Sequence, residues 1–212
     1  MSELSTDKRA SLERLVDPRD RLVSLLASRL LKSCAFDEGI TDFHLQDICY
    51  PEARKPYWSV SGNSALHGAL NATLDFNITH SANLIMVAVS RDVKLGVDAE
   101  RHRKLKSLNF KMVLSNAELA LIEKTEDVFF DLWSKKEAVV KAADTGGVAR
   151  MRDVHLDHDL AELDGKIWQI MPLDQIREDR VNRDSGDYSI HLATSEVIDA
   201  PVIERKTIDS LW

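Results

Sequence analysis

Cysteine is nearly absent from the 212-residue chain. The pair present, Cys34 and Cys49, makes neither a disulfide framework nor a metal cage. Long apolar runs are missing too, and none approaches the ~20 residues needed to cross a bilayer. The opening Met1-Ser2-Glu3-Leu4-Ser5-Thr6-Asp7 lacks the basic and then apolar character of a signal peptide. Positive charge is in deficit, with a formal net charge of -7, which argues against broad nucleic-acid binding. Glycine and proline are sparse, at 8 and 5, as in a globular protein with one substantial core. These absences give the expectation of a cytoplasmic chain with no membrane or nucleic-acid partner. In that setting the glycosylation-like Asn71-Ala-Thr73 and Asn77-Ile-Thr79 carry no meaning.

What is present has a clear order. Residues 1–16 are charged and read as frayed or loosely helical. Asp17-Pro18-Arg19-Asp20 is a helix start, with Asp17 as cap and Pro18 in the first turn. Leu22, Leu25, Leu26 and Leu30 continue as one apolar stripe, predicting a helix to about Lys32. Pro51 and Pro56 interrupt regular structure. Phe76–His80, Leu84–Ser90 and Lys94–Asp98 read as strands separated by short polar turns. Ser115-Asn-Ala-Glu118 is a capping-box signature for a short helix to about Ile122. A longer helix is predicted from Val128 to Ala143, stopped by Gly146-Gly147. Val154–Leu156, Ile167–Met171 and Tyr188–Thr194 complete the strands. The fold class is α+β, with two similar halves, roughly 17–95 and 96–212, forming one unit.

Acidic residues concentrate where core packing would not ask for them. Asp98 and Glu100 are two apart at the end of a strand, so both point to one face. Trp133, Glu137 and Lys141 recur every four residues along one helical stripe. Carboxylates at that spacing hold a hard divalent cation through oxygen, and Glu137 offers a third ligand beside a substrate phosphate. A polar strand end explains Asp98-Ala-Glu100 equally well. Glu137 and Lys141 by themselves read as a plain surface pair of ~0.3–0.5 kcal/mol. Thr79-His80-Ser81 offers three hydrogen-bond donors in a row, suited to a phosphate. The basic run Arg101-His-Arg103-Lys104-Leu-Lys106 is either a solvated loop or a landing strip for an acidic partner. Glu118 is read as the reciprocal partner of Ser115 rather than a site residue.

Four ordered blocks carry a resemblance. Gly96-Val-Asp98-Ala-Glu100 and Trp133-Ser-Lys-Lys136-Glu137-Ala138-Val-Val-Lys141 resemble the paired signatures of the 4′-phosphopantetheinyl transferases. Arg54-Lys55-Pro56-Tyr57 and Phe76-Asn77-Ile78-Thr79-His80-Ser81 resemble the Gly-Lys-Pro and Phe-Asn-Ile-Ser-His-Ser blocks of the surfactin-synthetase-activating (group II) branch. The resemblance implies a pseudo-two-fold fold, each half a small antiparallel sheet with a packed helix, and coenzyme A held between them. It implies Mg²⁺-dependent transfer of 4′-phosphopantetheine from coenzyme A to a serine of an acyl or peptidyl carrier protein, releasing 3′,5′-ADP (holo-acyl-carrier-protein synthase activity). By position, Asp98, Glu100 and Glu137 would hold the metal, and Asp98, Glu137 and Lys141 would form the catalytic set. Lys55, Pro56, Thr79, His80 and Lys141 would contact coenzyme A. Thr79 departs from the usual serine but keeps the hydroxyl. The stretch from Ser59 to Thr73 is expected to form a longer surface loop, and the chain to act as a monomer. A carrier-binding relative without activity, or another Mg²⁺-dependent phosphate enzyme, are the competing classes.

Overall fold

The computed structural model describes residues 3–52, 54–59, 74–105, 110–125, 128–173 and 187–211. The expected Ser59-to-Thr73 loop lies outside them beyond Ser59, as does Lys106 of the basic run. Two helices open the chain, α1 (Thr6–Arg14) and α2 (Pro18–Asp37). In the first, Ser5 caps the helix through the Lys8 N–H, and Leu12 is buried on its inner face. α2 begins at the Asp17 cap as expected but continues past Lys32 to Asp37. Its buried stripe is Ala27, Ser28, Leu31 and Ala35 rather than the expected leucines, of which Leu22 is exposed.

Short β1 (Ile48–Cys49) and β2 (Tyr57–Trp58) pair with each other, and β3 (Asp75–Ser81) pairs antiparallel with β4 (Leu84–Ser90). Then come β5 (Leu95–Arg101), α3 (Asn116–Ile122), α4 (Val128–Ala143), β6 (His155–Asp157), β7 (Leu160–Leu163), β8 (Lys166–Pro172) and β9 (Tyr188–Thr194). β5 to β9 form one antiparallel sheet in the order β5-β9-β8-β7-β6. The sequence did not announce β7, which has only four residues between tight turns.

Alternation along the strands stacks these elements. Phe76 and Ile78 of β3, with Val87 and Val89 of β4, pack toward Leu31 and Ala35 of α2. Leu84, Met86 and Ala88 of β4 turn the other way, onto Leu95, Val97, Ala99, Ile190 and Leu192 of the five-stranded sheet. The opposite face of that sheet, including Ala161, Trp168, Ile170 and Ala193, is covered by α4. The β3–β4 hairpin and the sheet therefore lie between two long helices.

Two local features fix the seam. Asp75 Oδ2, Asn77 Oδ1 and Ser81 Oγ accept hydrogen bonds from the backbone N–H groups of Leu95, Val97 and Arg101 at 2.8, 2.9 and 3.0 Å. One face of β3 thus lines the outer edge of β5. On the face of β5 toward α4 sits Gly96, where a Cβ would run into the Ala138 carbonyl and the Ala142 nitrogen. Glycine here lets the helix backbone lie directly on the strand.

Candidate active site

Gly96, Asp98 and Glu100 share the face of β5 that α4 covers. Trp133, Glu137 and Lys141 lie one turn apart on α4. Close approach at Gly96 brings these two rows together. One carboxylate oxygen from each of Asp98, Glu100 and Glu137 lies within 4.8 Å of the others. Lys141 Nζ sits among them, 2.7 Å from Asp98 Oδ1 and 3.1 Å from Glu137 Oε1.

Burial of these groups is uneven. Asp98 is 2% exposed, while Glu100 and Glu137 are half-buried at the rim. Burial pushes the Asp98 carboxyl up, with Glu137 and Glu100 adding to the rise and Lys141 opposing it, to about 6. For Lys141, burial acts downward, but Asp98 and Glu137 outweigh it and raise the ammonium above the ordinary lysine value. Lys141 is therefore a fixed cation at neutral pH.

Each carboxylate has a donor that orients it. The indole N–H of Trp133 donates to Glu137 Oε2 at 2.7 Å. Trp133 is itself held against Phe129 and Phe110, at ring-centroid distances of 5.4 and 6.5 Å. Arg103 reaches Glu100 Oε2 at 3.1 Å and lies over the Phe130 ring. Part of the expected basic strip is thus folded back onto the acidic site. Thr79 donates to Asp98 Oδ1 at 3.1 Å. Asp98 Oδ2 is buried with no hydrogen-bond partner, a costly position for a carboxylate oxygen. Three hard oxygen donors, one of them orphaned, fit Mg²⁺.

The remaining sequence-derived candidates are placed elsewhere. Lys55 Nζ is buried at the seam, donating to Asp75 Oδ2 and the Leu95 carbonyl, both at 2.7 Å. An ammonium has three N–H bonds, so two are used among the described residues. Burial lowers the Lys55 pKa, against the pull of Asp75. Lys55 and Pro56 line a cleft of about 330 Å³ together with Arg54, Lys94, Asp144, Lys166 and Trp168. Arg54 and the Lys55 N–H both bind Asp144, at 2.7 and 2.6 Å, tying this block to the end of α4. The Thr79-His80-Ser81 donors do not converge. Thr79 and Ser81 face β5, whereas alternation puts the exposed His80 on the other side of β3.

Two buried polar arrangements had no sequence signal beyond residue type. Lys136 is 1% exposed; it pairs with Glu118 Oε1 at 2.8 Å and donates to the carbonyls of Val154 and Met151 at 3.0 and 3.2 Å. Glu118 completes the expected capping box with its other oxygen. His191, buried on β9 opposite Asp98, bridges Ser134 at 2.7 Å and Asp131 at 3.3 Å. Ser134 is fully buried and donates to the Phe130 carbonyl, so the buried Ser134 and His191 brace α4 against β9.

Comparison with known proteins covers the same segment of the chain. Residues 94–192 match the sequence model of the 4′-phosphopantetheinyl transferase superfamily. A protein from Synechocystis sp., whose name assigns it provisionally to the 4′-phosphopantetheinyl transferases, is 27% identical over 219 residues, covering 99% of this chain and 77% of that protein. The segment carrying Asp98, Glu100, Glu137 and Lys141 lies within the residues matched by that superfamily model.

Proposed function

We propose that the protein transfers 4′-phosphopantetheine from coenzyme A to a serine of an acyl or peptidyl carrier protein, as a Mg²⁺-dependent enzyme of the group II type. The observation that carries this reading is the orphaned, buried Asp98 Oδ2 within a carboxylate trio that also holds a lysine. Asp98, Glu100 and Glu137 would hold Mg²⁺, which when bound supplies neutralisation of the diphosphate oxygens.

The chain's own groups account for the rest. Phosphoryl transfer depends mainly on positioning and charge stabilisation. The serine oxygen forms a bond to the phosphorus that carries pantetheine, the bond from that phosphorus to the bridging oxygen breaks, and 3′,5′-ADP leaves. Glu137, half-buried at the rim, takes the serine proton directly or through a water. Lys141, held as a cation, steadies the leaving phosphate. Lys55 and Pro56 in the cleft, with His80 of β3, are the proposed remaining contacts along coenzyme A. An acidic carrier surface suits the neighbouring Arg101 and Lys104. Among the described residues no helix is long and apolar enough to cross a membrane.

The test is direct. With coenzyme A, Mg²⁺ and a panel of apo carrier proteins, mass spectrometry should show a phosphopantetheine adduct on at least one carrier. Asp98→Ala should abolish it. An unmodified panel, with the protein folded and coenzyme A bound, would exclude the assignment.

A further inference from the structure

The face of β3 that lines β5 follows a rule with one exception. Asp75, Asn77 and Ser81 each accept from a β5 backbone N–H, at Leu95, Val97 and Arg101. By the same rhythm Thr79 would take the N–H of Ala99. Its hydroxyl instead donates to the side chain of Asp98, at Oδ1. Lys141 donates to that same oxygen at 2.7 Å. Both donors converge on Oδ1, and Oδ2 alone is left buried without a partner. Thr79 and Asp98 are 5% and 2% exposed, so bulk water does not compete for this hydrogen bond. Threonine's branched Cβ also restricts the rotamer from which the hydroxyl reaches across.

We infer that Thr79 is a positioning residue for Asp98: it fixes the plane of the carboxylate so that Oδ2 is presented to a divalent cation. The hydroxyl is then engaged with a metal ligand rather than with a coenzyme A phosphate. The contact crosses the seam, since Thr79 belongs to the hairpin and Asp98 to the five-stranded sheet. Docking of the hairpin is therefore a condition for a correctly aimed site. The inference rests on the Mg²⁺ reading of the carboxylate trio.

Mn²⁺ titration of the full chain, followed by electron paramagnetic resonance without coenzyme A, separates the two ideas. Partners that orient a ligand commonly change metal affinity 10- to 100-fold, so Thr79→Val should bind Mn²⁺ at least ~10-fold more weakly. Thr79→Ser, which keeps the donor, should stay within ~3-fold of wild type. Near-UV circular dichroism should be unchanged in both; if the valine variant loses its signal, Thr79→Ala carries the same comparison. In the transfer assay the Mg²⁺ activation constant should rise while KM for coenzyme A holds. Wild type without Mn²⁺ binding would overturn the metal site itself. Wild-type Mn²⁺ affinity in Thr79→Val, with a raised KM for coenzyme A, would overturn only the role given to Thr79. A serine variant as weak as the valine variant would do the same.

Discussion

Replacing Asp98 with asparagine should make the metal-free protein more stable, and increasingly so as pH rises from 4 to 6. The carboxyl is pushed from its ordinary 3.8 to about 6, chiefly by burial. An acid whose pKa is raised by folding keeps its proton longer in the folded state than in the unfolded one, so stability falls as pH rises between the two values. A shift of about two units at 1.36 kcal/mol each gives a loss of about 3 kcal/mol, absent below pH 4 and complete above pH 6. For a chain of this size that is ~6–12 °C in melting temperature. Asp98→Asn has no such titration. Its melting temperature in EDTA should match wild type near pH 4 and exceed it by several degrees at pH 7.5. Mg²⁺ at ~100 times its Kd would add ~2.7 kcal/mol to wild type alone, nearly closing the gap. Transfer by the variant should be lost. Melts followed by circular dichroism from pH 4 to 8, with EDTA and with Mg²⁺, provide the check. Parallel curves for the two proteins across that range would refute the argument, as would equal stabilisation of both by Mg²⁺.

Three further outcomes follow from neighbouring contacts. Lys136→Met leaves Glu118 without its buried partner and should cost about 3 kcal/mol in urea unfolding, with little change in Mg²⁺ activation of the remaining folded enzyme. Trp133→Phe keeps the ring against Phe129 but removes the N–H that holds Glu137; activity should fall ~10-fold with the fold intact by circular dichroism. Asp131, although burial opposes it, is drawn down to about 2 by His191 and Lys135. A depressed carboxylate stabilises above its unfolded pKa and is lost on acidification, so Asp131→Asn should lower the melting temperature at pH 6 and match wild type near pH 2.

The constellation of Asp98, Glu100, Glu137 and Lys141 was legible because two short-range periods produce it. A spacing of two on a strand and of four on a helix each put the residues on one face. Gly96 stands in the first of the acidic motifs, and the structure shows that α4 lies directly on it. Contacts set by register between distant segments were not legible. The hydrogen bond from Thr79 to Asp98 depends on how the hairpin docks, and no local pattern encodes it. The Thr79-His80-Ser81 run was read as convergent although consecutive strand residues point to opposite sides, a conflict visible from the period itself. Lys136 gave no separate signal in the sequence, since only the tertiary fold brings Glu118 and two carbonyls to it. β7 was missed because four residues are too few to show alternation.

The row of β3 side chains along β5 also guards the protein against itself. β5 ends its sheet, and an exposed edge strand invites another chain to add to it. Asp75, Asn77 and Ser81 fill N–H groups that such a chain would seek, while Lys55 takes the Leu95 carbonyl. The hairpin covers the apolar Leu95-Val97-Ala99 face at the same time. A fragment beginning at Lys94 would keep three carboxylates and the lysine, yet it would offer a bare, sticky edge to every copy it met. The same face of β3 that covers this edge carries Thr79, the residue proposed to aim Asp98.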